Sequence, residues 1–181
     1  MIATLTAPPR PADPPLPVLL PAVRRREHLN RPGRTAAIAL SGTLTAVVEV
    51  DGHAQSEDAL ARRGLRIRQA WDESAHQLIA AAQTLHGTRF WTRPVQGGGL
   101  QIRTDAAPAS AWLAHPHPFR LLNEHLSALL ATPQPVYLLP DSHTLLAFPD
   151  LPSPPASSAG RESWLSPRPL VWQRGFPAES H

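Results

Sequence analysis

The sequence predicts an α+β domain, a mostly antiparallel sheet of hairpins with two main helices packed on one face, flanked by proline-rich N- and C-terminal extensions. Three observations carry this expectation. Apolar, β-branched runs come in pairs around short turn-forming stretches. Two longer segments repeat apolar residues at helical spacing. The links between them are short, which favours antiparallel neighbours in the order ββαββαββ.

Taken in order, Ala36–Leu40 and Thr43–Val50 read as a hairpin around Ser41-Gly42, and Asp51-Gly52 closes its second strand. Ser56 can cap a short helix that carries Glu57 and Asp58 in its first turn and Arg62 and Arg63 in its last, before Gly64. The first main helix is expected over Asp72–His86, with Asp72 as its cap, Ala75, Leu78, Ile79, Ala82 and Leu85 at helical spacing, and Gly87 beyond its end. A second hairpin joins Arg89–Arg93 to Leu100–Thr104 through Pro94 and Gly97–Gly99, with Leu100 and Ile102 inward and Gln101 and Arg103 outward. Ala109–Ala114 can form a helical turn, which His115-Pro116-His117-Pro118 stops. The second main helix, Phe119–Ala131, buries Phe119, Leu122, Leu126, Leu129 and Leu130. Val136–Leu139 and Thr144–Phe148 then flank a four-residue turn, Pro140–His143.

Proline density sets the bounds. Of the 22 prolines, eight fall in residues 1–34 and seven in 149–181, leaving seven for the 114 residues between. Such density removes backbone donors and fixes φ, so the domain is expected at 35–148, with a Pro/Arg-rich extension over 1–34 and a tail over 149–181. With no cysteine, a disulfide framework, a thiolate metal site and a cysteine nucleophile are all excluded. The first residues lack the basic and apolar regions of a secretory signal, and no run approaches the roughly 18 to 20 apolar residues that span a bilayer. A cytoplasmic chain without membrane contact is the expectation. The net charge of +3 divides into +4 over 1–34, −2 over 35–160 and +1 over 161–181, and the chain has no lysine.

Candidate chemistry is sparse. Asp141-Ser142-His143 holds the three residue types of a hydrolytic triad, but consecutive residues in a tight loop point apart, and no Gly-x-Ser-x-Gly elbow exists. A turn is the simpler reading, with His143 the one residue to test. Glu73 and His76 share a helix face and could act as acid and base if that face lined a pocket. His115, His117, His125 and His143 lack any recognised ligand spacing, so no metal is expected. Gly97–Gly99 lacks the following Lys-Ser/Thr and helix of a phosphate loop, and no cofactor is expected. Arg24-Arg25-Arg26, with Arg31 and Arg34, could contact nucleic acid, yet no stacking motif accompanies them, which makes that partner an outsider.

The tail SWLSPRPLVWQRGFP is the richest candidate. Trp164, Leu170, Val171, Trp172 and Phe176 are costly to expose, and Pro154–Gly160 supplies a linker, so these residues should lie against the domain itself, a second copy or a protein partner.

LTAVVEVDG, AWDESAHQLIAAAQTL, RTDAAPASAWL and VYLLPDSHTLLAF together give the span from about Leu44 to Phe148 a resemblance to a bacterial family of uncharacterised proteins, a domain of unknown function. The resemblance supports the architecture. Members of that family typically carry arginine and aspartate where this chain has Ser142 and His143, so no functional residue transfers to the turn. The reading that results is a non-catalytic protein-binding or assembly module working through its tail. The alternative is a small hydrolase using His143 or the Glu73 and His76 pair.

Overall fold

The computed structural model describes residues 18–29, 35–105, 107–151 and 161–180. Arg31, Arg34 and the Pro154–Gly160 linker lie outside them. Helices combine with antiparallel sheets, as the α+β class requires. The strands divide, however, into two main sheets where one was expected.

The first sheet comprises β1 (Leu20–Arg25), β2 (Ala37–Ala39), β3 (Leu44–Val50) and β4 (His53–Ala54), with β3 between β1 and β2. Strand β1 falls inside the stretch assigned to an N-terminal extension. Its alternation of small and apolar residues supplies Ala22 and Val23 to the interior, and it runs antiparallel to β3 from Leu20↔Glu49 to Arg25↔Leu44. The predicted 35–148 boundary is therefore too narrow at this end, because one proline, Pro21, does not prevent an edge strand.

Helix α1 (Glu57–Arg62) forms as expected: Ser56 Oγ accepts the Ala59 N–H at 3.1 Å, and Gly64, at φ +73°, lets the chain leave the helix. Helix α2 (Ile67–Ala82) starts earlier than Asp72. Ala70 and Trp71 extend the apolar stripe of Ala75 and Leu78 backwards, while Gln69 Oε1 accepts the Arg66 N–H at 3.0 Å, so burial outweighs the capping preference of Asp72. The helix also ends early. Gln83–Thr84 (β5) and Gly87–Thr88 (β6) make a minute hairpin in which Thr84 Oγ1 donates to the Gly87 carbonyl at 2.7 Å. Leu85, placed at helical spacing with the buried residues, sits instead on the hairpin tip and is 100% exposed.

The second sheet contains β7 (Trp91–Val95), β8 (Gly99–Arg103), β9 (Val136–Leu139), β10 (Leu145–Phe148), β11 (Ser166–Gln173) and β12 (Phe176–Glu179), in the order β12-β11-β9-β10-β8-β7. Helix α3 (Pro116–Leu129) covers its inner face, where Phe119 meets Tyr137 edge-on at 5.3 Å and the Tyr137 hydroxyl donates to Asn123 Oδ1 at 2.8 Å. The His115-Pro116-His117-Pro118 run follows the end of the Ala109–Leu113 turn, as expected, but it also starts this helix, at Pro116 rather than at Phe119. Proline is well suited to the first helical turn, where its missing N–H would have no partner. Leu129, expected inside, is 52% exposed at the last turn.

The tail folds back on its own chain. β11 pairs with β9 at Leu170↔Tyr137 and with β12 through Leu170↔Glu179 to Gln173↔Phe176. Leu170 is wholly buried, and Trp172 and Phe176 pack against the core. The tail is thus two strands of the larger sheet, and the domain extends past 148 as well. Glu179 then ties the two sheets together, accepting from Thr43 Oγ1 at 2.6 Å and from Arg168 at 3.2 Å. Leu170→Ala should cost about 2 to 5 kcal/mol in urea unfolding, and a chain lacking residues 166–180 should lose its cooperative transition. A truncated chain that unfolds at the parent's urea midpoint would show the hairpin to be dispensable.

Candidate functional site

Strand alternation gives the six-stranded sheet two different faces. Tyr137, Leu139, Leu145, Ala147, Ile102 and Leu170 point to the interior and are fully buried. The alternate residues form the other face. Leu146 pairs with Leu138, and Phe148 with Val136, so these four side chains share it. An open groove of about 610 Å³ runs over Leu138, Leu146 and Phe148, with Leu151 and Trp164 at its sides and Gln96, Gly97, Asp150 and Arg161 around it.

Local geometry builds this groove. The Phe148 ring lies across β8 at Gly99, where a Cβ would overlap the ring and come within 2.9 Å of the Ala147 carbonyl oxygen. Glycine is needed there for close approach. The neighbouring Gly97, at φ +81°, needs its positive φ for the β7–β8 turn. On the other side, the Leu165 N–H donates to the Pro140 carbonyl at 2.8 Å, which holds the Arg161–Leu165 segment against the end of β9. The Arg161 guanidinium stands over the Trp164 ring at 5.1 Å. Further along the same face, Asp105 accepts from Trp91 Nε1 and, at 2.7 Å, from Arg89. Those two bonds, the Trp91 one first, hold its carboxyl below the ordinary value.

The residues singled out from sequence are dispersed. Asp141 Oδ1 accepts the backbone N–H groups of His143 and Thr144 at 2.7 and 2.8 Å, and the Ser142 carbonyl accepts the Ser110 N–H. Slight burial raises the Asp141 carboxyl, but those bonds and the nearby His143 outweigh it and leave it below the usual range. Asp141-Ser142-His143 is a turn whose groups are engaged with the backbone, and His143 is exposed. Glu73 accepts from Gln77 at 2.8 Å, whereas His76 faces His117 at 6.3 Å between ring centres, so the two do not form an acid and base pair in a pocket.

Of the arginine triplet, Arg24 pairs with Glu49 and Arg25 with Glu27 at 2.8 Å and with the Glu162 carbonyl at 2.6 Å, leaving Arg26 exposed. Two of the three guanidiniums are already committed within the fold. Leu170, Trp172 and Phe176 belong to the chain's own interior, and of the tail anchors Trp164 alone borders the groove. The groove was missed in the sequence because it depends on which face of β9 and β10 the helices leave uncovered. The alternation of Val136, Leu138, Leu146 and Phe148 with Tyr137, Leu139, Leu145 and Ala147 was visible, but both sets are apolar.

Among the described residues no three or more histidines or carboxylates are placed to hold a metal, and no helix is long and apolar enough to cross a membrane. Comparison with family models, with curated proteins and with solved structures finds no match.

The histidines have a structural role at the start of α3. His115 Nδ1 accepts the His117 N–H at 3.1 Å as the helix cap, which places the ring proton on Nε2, 3.1 Å from Asp72 Oδ1. Burial holds His115 below the ordinary histidine value. Asp72 pulls the other way, and the charges of His117 and His76 add to the lowering. The unfolded chain therefore takes up this proton first, so the contribution to stability is full above the unfolded value, about 6.5, and falls as pH drops below it. His115→Asn keeps a capping acceptor without the titration. It should flatten the fall in melting temperature between about pH 7 and pH 5, leaving the share of His125, which burial also lowers. Parallel curves for variant and parent would remove His115 from this role.

Proposed function

We propose that the protein is a non-catalytic protein-binding module, and that it works through the groove on the face of its six-stranded sheet opposite α3. The observation that supports this most directly is the apolar floor of the groove, where Leu146 is half-buried between the buried Leu138 and Phe148 and is flanked by Leu151 and Trp164. Leu151 is 47% exposed, an unusual position for a large apolar side chain beside further apolar surface. The open form of the groove suits an extended segment whose side chains drop onto the sheet, with Trp164 as an aromatic anchor. The hydrolase alternative is not carried forward, since Asp141-Ser142-His143 is an exposed turn bonded to its own backbone and Glu73 bonds Gln77 rather than His76.

Both edges of the six-stranded sheet argue for groove binding over strand addition there. β7 and β12 are its edge strands, and they carry Pro94 and Pro177. Proline lacks the N–H that an incoming strand would need. The absence of cysteine fits work in a reducing cytoplasm, and the resemblance to the uncharacterised bacterial family is retained as a proposal about ancestry.

Leu146→Asp places a charge on the groove floor and Trp164→Ala removes a wall. Peptides selected from a random phage-displayed library against the immobilised chain should lose at least about tenfold in affinity for either variant, close to 1.4 kcal/mol, while the urea midpoint stays near that of the parent. If no selected peptide distinguishes parent from Leu146→Asp, the groove is not a docking site.

A further inference from the structure

The face that carries the groove also carries a charge pattern that an apolar ligand would leave unused. Trp91 lies opposite Arg103, and Arg93 opposite Gln101, on β7 and β8. Gln101 in turn pairs with Leu146, so all of these side chains share the groove's face. Arg93 donates to Gln101 Oε1 at 2.6 Å, a neutral partner that leaves its charge uncompensated. Arg103 is exposed, with no ion pair or hydrogen bond among the described residues. Arg161 borders the groove over Trp164, and its Nε is buried with no acceptor.

The acids on this face do little to balance these cations. Asp105 is taken by Arg89 and Trp91, whereas Asp150, which lines the groove and accepts the Leu151 N–H, has no cation paired with it among the described residues. Three guanidiniums without carboxylate partners among the described residues, Arg161 in the groove lining and Arg93 and Arg103 further along the same face, thus outnumber the one unpaired acid, Asp150. The imbalance is local to the face.

Resting on the docking reading above, we propose that the partner is an acidic extended peptide, an apolar side chain seated between Leu146 and Trp164 with Asp or Glu residues on either side reaching Arg93, Arg103 and Arg161. Arg93 stands two strands from Leu146, roughly 10 Å at ordinary strand spacing. In an extended peptide, at about 3.3 Å per residue, the first carboxylate should follow or precede the anchor by about three positions. Guanidinium groups bind carboxylates in a two-pronged geometry, and the stacking of Arg161 on Trp164 favours one orientation of that fork. Single-stranded nucleic acid fits less well. The groove floor is largely aliphatic, and the one aromatic of this face that is more than half exposed, Trp91, has the Arg89 guanidinium over its ring.

The test uses the full chain, a random phage-displayed peptide library as probe, and a fluorescein-labelled oligothymidylate as a second probe. Selected peptides should share an apolar anchor with Asp or Glu about three residues away. Their affinity should fall at least about tenfold in the Arg93→Glu, Arg103→Glu double variant, and several-fold between low and moderate salt. Unchanged urea midpoints would show that the double variant still folds. Peptides that depend on Leu146 but are neutral or basic, and indifferent to the charge reversal, would overturn the acidic partner and leave the docking surface standing. No peptide dependent on Leu146 would remove both. Tight oligothymidylate binding that the double variant abolishes, with no acidic peptide selected, would overturn the proposal in favour of nucleic acid.

Discussion

The rest of the structure depends on the burial of one short backbone turn, Ala109–Ala114, at the meeting point of both sheets and both main helices. Every residue in it is at most 3% exposed. Burying backbone this deeply requires partners for its polar groups, and two of them come from distant elements. The Ser110 N–H donates to the Ser142 carbonyl in the β9–β10 turn, and Trp71 Nε1 on α2 donates to the Ala114 carbonyl at 2.7 Å. The composition ASAWLA explains how the turn fits. Its alanines and serine let neighbours approach closely, while Trp112, wholly buried, fills the space beside Phe90 at 4.6 Å between ring centres.

That turn also fixes where α3 begins. Ala114 is held by Trp71, His115 is held by Asp72, and Pro116 follows at the first helical position. Gly175, in the β11–β12 turn, comes so close to Pro116 that a Cβ would lie 3.0 Å from its Cβ. The start of one helix is thus the contact point for a strand hairpin more than fifty residues later. Once α3 is placed, Phe119, Leu122 and Leu126 pack on the inner face of the larger sheet, and the groove lies on the opposite face.

The groove face and the proline-bearing edges belong together physically. A sheet with open edges and an apolar face invites strand addition. In the larger sheet both edges carry a proline, Pro94 on β7 and Pro177 on β12, while the face retains Leu146, Phe148 and Trp164. Prolines that looked like markers of unstructured ends turn out to be compatible with strands, at an edge for Pro21 and Pro177 and at the register shift of β11 for Pro167 and Pro169.

The sequence by itself determined the local elements whose cause is local. Ser56 caps α1 because its hydroxyl reaches an N–H three residues on, Gly64 ends it because it tolerates positive φ, and Asp141 makes the turn between β9 and β10 because its carboxylate reaches the next backbone groups. The same holds for the outward Arg103 and inward Ile102 of β8, where a polar and apolar alternation leaves one choice of face. Tertiary structure decided what depends on distant partners. It recruited Leu20–Arg25 and Ser166–Glu179 into the sheets, moved the start of α2 back to bury Trp71, sent Leu85 to solvent, and split the strands between two sheets. The candidate groove belongs to this second group. In β9 and β10 both alternating sets are apolar, so pattern cannot distinguish core from surface, and only the seating of α3 on Tyr137 makes Leu138 and Leu146 the outer face.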